Sequence, residues 1–187
     1  MEKSQLYKLS LLTLIGFPAV GALIIWFVED QPSSFRFSMP MPLHFQLGIG
    51  LLAGVVAGFL AWLIIRLPFM KATRVKYSGL VLPFDLNWSD ILFVSLCAGI
   101  GEEYFFRGVL QQYWGIWITS VVFVAIHGYL NPKDWCISIY GAFMVLVIAG
   151  IGYLNDYVGL VSAMIAHACI DIILFYRMTK DDDENNI

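Results

Sequence analysis

The chain has 187 residues, of which 59% are hydrophobic and only 13% are charged, with a formal net charge of −3. A soluble domain carries about 25% charged residues, so these few charges could not cover a water-facing surface around a core of this size. The composition therefore excludes a soluble enzyme, a disordered chain and a secreted disulfide scaffold, and it predicts an integral membrane protein. A lipid bilayer is the expected surrounding, and no nucleic-acid partner is expected.

Apolar runs separated by polar residues predict an all-α, polytopic protein with about six transmembrane helices, because one crossing takes roughly 20 residues. The predicted spans cover residues 9–28, 45–65, 90–113, 116–130, 136–154 and 158–176. We expect the first run to be retained, since it is longer than the apolar region of a cleaved signal peptide. The chain then divides into a two-helix segment with a basic loop, a core and an acidic disordered tail, at residues 1–89, 90–176 and 177–187.

Lys and Arg are unevenly distributed between the two ends of these spans. Of the 11 basic residues, nine fall on one side, Arg36 falls on the other and Arg107 lies inside a span. Cytoplasmic loops carry the excess of positive charge, so both termini are predicted to be cytoplasmic, with the plasma (inner) membrane of a bacterium as the expected location. The basic loop at residues 66–88 is either an anchor at an anionic leaflet or a docking site for substrate.

The third predicted span carries three ionisable residues, Glu102, Glu103 and Arg107. Each costs about 2.5–3.5 kcal/mol near a bilayer centre, so this helix must turn its charged face towards other helices or a wet cavity. Glu103 and Arg107 are four residues apart and are predicted to form a structural ion pair. Glu102 points about 100° away from Glu103 and has no basic residue one turn away, which leaves it free for general acid–base chemistry.

Two histidines and an aspartate lie inside the later spans, at His127, His167 and Asp171. At about 1.5 Å per residue, Glu102 and both histidines fall within a few ångströms of the bilayer midplane. Asp171 follows His167 by one helical turn and is predicted to orient its imidazole or to share a ligand role. A lone intramembrane histidine is usually a packing residue, but this set at matched depth on three helices favours one site.

Signatures of other intramembrane hydrolases are missing from the sequence. There is no H-E-x-x-H zinc motif and no G-x-S-x-G serine motif in a span. The G-x-G-D motif of presenilin-like proteases is approached only at residues 150–153, where Tyr153 stands in place of the aspartate. Among hydrolytic mechanisms, the sequence therefore leaves one that uses glutamate carboxylate and histidine imidazole groups.

The order and spacing of three motifs on successive helices resemble those of the CPBP (Abi) family. That family includes type II CAAX prenyl endopeptidases and bacteriocin-processing or immunity-associated membrane proteins. The motifs are Glu102-Glu103-x-x-x-Arg107, Phe123-x-x-x-His127 and His167-x-x-x-Asp171. The resemblance covers residues 90–176 and implies a glutamic or metallo-endopeptidase that cleaves a peptide or membrane-protein substrate at or within the bilayer.

The resemblance also implies roles for individual residues. Glu102 corresponds to the catalytic glutamate, and Glu103 and Arg107 correspond to the structural pair. We hypothesise that Glu102, with His127, activates a water molecule. His127 and His167 correspond to the two essential histidines, and we hypothesise that His167, held by Asp171, stabilises the oxyanion.

Asp171 occupies a motif position that is Asn in the CAAX endopeptidases, and an ionised Asp cannot donate a hydrogen bond to an oxyanion. An orienting role towards His167, or a role as metal ligand, suits it better. A metal-dependent version has Glu102, His127 and His167 as three ligands of Zn²⁺, with water as the fourth.

Two other classes of function stay open on the sequence. A non-catalytic immunity or scaffold protein would bind a peptide in the same cavity and would not need the Glu and His side chains. A proton-coupled transporter also uses intramembrane Glu and His, but it favours repeated halves, whereas the ionisable residues inside predicted spans lie in one half only and no repeat is found.

Overall fold

The computed structural model describes residues 3–29 and 40–185, and within these ranges all regular structure is helical, which confirms the all-α prediction. Side chains beyond residue 180 are not described. The helices are α1 (Lys3–Val28), α2 (Leu43–Ile65), α3 (Lys71–Val81), α4 (Trp88–Phe105), α5 (Gln111–Ile126), α6 (Trp135–Tyr157) and α7 (Leu160–Asn185). A π-helical turn at Phe106–Leu110, called the π turn below, joins α4 to α5.

In the described part of the chain, five helical segments are long and apolar enough to cross a membrane. They are Lys3–Val28, Leu43–Ile65, Trp88–Ile126, Trp135–Tyr157 and Leu160–Lys180. The third and fourth of the six predicted spans thus form one run of 39 residues, Trp88–Ile126.

A break at Gly115 interrupts this run, with φ +72° and ψ 172°. Glycine adopts such positive φ values without steric cost. The predicted fourth span is shorter than expected, because its helix ends at Ile126, just before Gly128 with φ +77°.

Helix α7 is packed between α2 and α4 at positions that lack side chains. Three glycines of α2 face it: Gly50, Gly54 and Gly58. A Cβ atom at Gly54 would lie 2.8 Å from the Cα of Ala166, and one at Gly99 of α4 would lie 2.9 Å from the backbone nitrogen of Ala168. Small residues allow such close helix approach in membranes. The two contacts flank His167, so they fix the position of that residue along and across the bundle.

Two segments differ from the sequence prediction. The basic loop at residues 66–88 contains α3 and two short 3₁₀ turns, Pro68–Met70 and Leu82–Phe84. Helix α7 continues to Asn185, whereas disorder was predicted from residue 177; no Gly or Pro follows Leu160 to interrupt it. Arg36 lies outside the described residues, and the cytoplasmic placement of the termini stays a prediction, as does the division into three segments.

Candidate active site

The buried ion pair of the third span is formed. Arg107 Nε lies 3.2 Å from Glu103 Oε2, and both side chains are completely buried. Arg107 belongs to the π turn that follows α4. Such π-helical insertions occur frequently at functional sites, because the extra residue rotates the side chains that follow it. Arg107 also donates a long 3.4 Å hydrogen bond to the Ile148 carbonyl, which ties the turn to α6.

Glu103 contacts a second partner that the sequence prediction did not assign to it. Its Oε1 atom accepts a hydrogen bond of 2.7 Å from Nδ1 of His167 on α7. The predicted orienting residue, Asp171, instead lies near the other ring nitrogen, with 3.6 Å between Oδ2 and Nε2. That distance exceeds a hydrogen bond. Glu103 is therefore the hydrogen-bonding partner of the His167 imidazole, and the orienting role of Asp171 stays a prediction.

Glu102 and His127 face each other across the site, with 3.5 Å between Oε2 and Nε2. The other ring nitrogen of His127, Nδ1, lies 2.7 Å from the carbonyl oxygen of Phe123. Because a carbonyl only accepts, Nδ1 carries the proton and donates it. In the neutral imidazole this leaves the Nε2 lone pair directed towards Glu102.

Phe123 packs among the charged and imidazole groups of the site. Its ring stacks on His127 with centroids 4.3 Å apart and meets the His167 ring edge-on at 5.7 Å. The Arg107 guanidinium lies over the same ring, 5.3 Å from its centroid. The motif Phe123-x-x-x-His127 therefore has a physical basis, because the Phe123 ring packs against both histidines and against the arginine of the buried ion pair.

Glu102, His127, His167 and Asp171 all line one cavity of about 230 Å³ between α4, α5, α6 and α7. The common depth predicted from the sequence thus corresponds to a shared cavity, while the catalytic roles stay predictions. Side chains of the four residues range from 8% exposed for His167 to 32% exposed for His127. The Glu102–His127 side of the cavity is more exposed than the Glu103–His167 side.

Two tyrosines of the same cavity were missed by the sequence prediction, Tyr129 and Tyr140. The Tyr129 ring lies nearly parallel to that of His127, with centroids 6.1 Å apart, and meets Tyr140 edge-on at 5.5 Å. Tyr129 follows the end of α5, so no helical periodicity indicated where its side chain points. Tyr140 is one of several aromatic residues in an apolar span, and nothing in its spacing distinguished it.

The arrangement does not fit the predicted three-ligand zinc site. Among the described residues, no three His, Cys, Asp or Glu side chains are placed to hold one metal ion. Glu102 and His127 approach each other closely enough to be two ligands, but a catalytic Zn²⁺ takes three from the protein. We therefore derive no step through a metal.

Comparisons with known proteins agree with the resemblance found in the motifs. Residues 84–173 match the family model of type II CAAX prenyl endopeptidases, Rce1-like. The uncharacterized protein YpbD of Bacillus subtilis (strain 168) is 37% identical over 104 residues, which cover 52% of this chain and 52% of YpbD. The match thus spans about half the length of this curated relative, and no solved structure matches significantly. The chain is an integral membrane protein whose residues 84–173 are similar in sequence to the Rce1-like family of type II CAAX prenyl endopeptidases.

Proposed function

We propose that this protein is an intramembrane endopeptidase that hydrolyses peptide bonds at or within the bilayer of a bacterial plasma membrane. The observation that carries the proposal is the shared cavity, in which a glutamate, two histidines and an aspartate meet among apolar walls. The match to an endopeptidase family over residues 84–173 supports the reaction class. The similarity to a Bacillus protein supports a bacterial membrane.

The first step uses Glu102 and His127 on a water molecule. The Glu102 carboxylate takes one proton from the water, and the Nε2 lone pair of His127 accepts a hydrogen bond from the other hydrogen. The water oxygen adds to the peptide carbonyl carbon, and the carbonyl electron pair moves onto oxygen to form a tetrahedral oxyanion. The bond of Nδ1 to the Phe123 carbonyl keeps the ring in the tautomer that this step requires.

The second step uses His167. Its Nδ1–H is bonded to Glu103, so only Nε2 can face the substrate, and a proton on Nε2 would donate to the oxyanion. The positive charge of the doubly protonated ring is balanced by Glu103 and by Asp171 beside Nε2. When the tetrahedral intermediate collapses, the C–N bond breaks and the leaving nitrogen takes the proton held by Glu102. The products are a carboxyl terminus and an amine.

The apolar walls of the cavity suit a substrate that is itself hydrophobic. Residues such as Met144 and Ile148 of α6 and Leu174 and Phe175 of α7 surround the polar groups. Apolar walls with a few convergent polar groups are typical of binding pockets. A peptide or a transmembrane segment of another membrane protein therefore fits as substrate.

Terminal proteomics in cells tests this function. Membranes from cells that produce the wild-type chain or Glu102→Gln at equal level are compared for new N- and C-terminal peptides. We expect termini that occur only with the wild type, because Gln cannot take the proton from water. Glu29→Gln is the matched control, since Glu29 contacts Tyr113 at the end of α1 and not the cavity, and it should behave as wild type.

Identical termini in all three samples would contradict the proposal and favour a non-catalytic peptide-binding protein. Folding of Glu102→Gln is checked by its thermal transition in detergent. We expect that transition to match the wild type, because the buried ion pair involves Glu103 and not Glu102.

A further inference from the structure

We propose that the Tyr129 hydroxyl is a second hydrogen-bond donor to the oxyanion, beside Nε2 of His167. This inference rests on the proposed endopeptidase function. The inference concerns the hydrogen-bond donors that stabilise the negative charge on the oxyanion. Such stabilisation is usually the largest single contribution to catalysis of acyl transfer.

The polar groups of the cavity leave few candidates for a second donor. Two of them, Glu102 and Asp171, are carboxylates, which only accept when ionised. His127 donates from Nδ1 to the Phe123 carbonyl, and in the proposed mechanism its Nε2 accepts from the attacking water. Among the side chains that line the cavity, the remaining O–H and N–H donors are His167, Tyr129 and Tyr140.

Tyr129 is better placed than Tyr140 for this role. Its ring lies beside that of His127, at 6.1 Å and an interplanar angle of 21°, and both rings line the cavity that holds Glu102 and His167. Tyr140 is 3% exposed and forms the wall against which the Tyr129 ring rests edge-on. None of the hydrogen bonds within the described residues uses the Tyr129 hydroxyl, which leaves it available to a substrate.

The Tyr129 hydroxyl also keeps its proton. Burial raises the pKa of Tyr129 above its ordinary value, and the negative charge of Asp171 raises it further. A phenol in this surrounding stays neutral at physiological pH and acts as a donor. The protonated Tyr129 hydroxyl can therefore donate a hydrogen bond to the oxyanion.

The loop that carries Tyr129 is fixed before substrate binds. The Tyr129 N–H donates to the Val124 carbonyl at 3.3 Å, and the Ser138 hydroxyl on α6 donates to the Asn131 carbonyl at 2.6 Å. The Tyr129 carbonyl fills the space where a side chain at Gly141 would stand. Donors held in place in this way cost no reorganisation during the reaction.

Steady-state kinetics of the full chain in proteoliposomes test the inference. The probe is a fluorogenic peptide that carries the sequence cleaved in the cellular experiment. We expect Tyr129→Phe to lower kcat by about 10²–10³-fold, the usual effect of removing one oxyanion donor, with KM and the thermal transition unchanged. A purely structural role would lower the thermal transition instead.

Two further phenylalanine variants serve as comparisons. Tyr77→Phe is the matched control: Tyr77 packs 5.6 Å from the Tyr129 ring but does not line the cavity, so the variant should retain the wild-type kcat. Tyr140→Phe should change kcat much less than Tyr129→Phe.

A wild-type kcat for Tyr129→Phe, or a loss found only in Tyr140→Phe, would overturn this inference while leaving the endopeptidase intact. A wild type that cleaves no faster than Glu102→Gln would overturn both, and the two failures are thereby distinguished.

Discussion

The two halves of the chain place their ionisable residues in opposite ways. Around α1 they stand near the ends, with Lys3 and Lys8 in its first turns and Glu29 directly after it, and α2 has an interior of apolar and small residues. In α4, the π turn and α7 they stand in the middle of the bundle, where Glu103 and Arg107 are completely buried. The first half therefore supplies lipid contact and packing surfaces, and the second half supplies chemistry.

The halves are nevertheless mechanically linked. The glycines of α2 determine how closely α7 approaches, and α7 carries His167 and Asp171. A change in the first half can thus damage the site without touching a polar group, whereas a change in the second half can damage it electrostatically. The predictions below separate these two kinds of damage.

The largest expected effect on stability comes from breaking the buried pair. Arg107→Leu removes the guanidinium from a completely buried ion pair, and removing one partner of such a pair typically costs about 3–5 kcal/mol. We expect a strongly lowered thermal transition together with loss of cleavage. Lys133→Gln, in the loop before α6, is the control and should unfold like the wild type. Equal transitions for both variants would mean that the buried pair is unimportant to the fold.

A smaller effect is expected from the packing surface of the first half. Gly54→Ala forces a methyl group against the backbone of α7, and overpacking of this kind costs about 1–3 kcal/mol. Because the neighbouring His167 would shift, cleavage should fall by about 10²-fold, as expected for a 1 Å misplacement. Gly48→Ala, where no atom lies within 4 Å of the new Cβ, should leave both measurements unchanged. Normal cleavage by Gly54→Ala would show that the halves are independent.

Asp171→Asn should have a still smaller effect. Glu103 forms the hydrogen bond to His167, and Asp171 stands 3.6 Å from Nε2. An amide keeps one acceptor oxygen and adds donors, so we expect cleavage within about tenfold of the wild type, or about 1.4 kcal/mol in activation free energy. A loss as large as that of Glu102→Gln would instead make Asp171 part of the reacting group.

Removal of metal should have no effect. Because no three described side chains are placed to bind one ion, the cleavage rate should survive extensive dialysis against a chelator. Rates before and after dialysis are compared, followed by addition of Zn²⁺. Loss of activity that Zn²⁺ restores would reinstate the metal-dependent version of the site.

Much of this architecture was predictable because it depends on local sequence. Apolar runs predicted the helices, the i,i+4 spacing predicted the Glu103–Arg107 pair, and residue counting predicted that Glu102 and His167 share a depth. The π turn, the break at Gly115 and the full length of α7 were not predicted. They depend on tertiary packing or on a single backbone conformation that periodicity does not report.

The partners of individual side chains were the least predictable part. Whether His167 meets Glu103 depends on the rotation of α7, which the glycines of two other helices determine. The sequence indicated Asp171 because it follows His167 by one turn of the same helix, whereas no spacing indicated a residue on α4. Tyr129 was missed for a related reason, since a loop residue has no helical face from which its direction could be deduced.

The most direct test is the cleavage rate of purified Glu102→Gln in proteoliposomes, measured beside the wild type on the same fluorogenic peptide. A single carboxylate acting as general base is worth about 10²–10⁴ in rate, so the variant should be slower by that factor while its thermal transition matches the wild type. A rate equal to that of the wild type would contradict the assignment of Glu102 and, with it, the proposed mechanism.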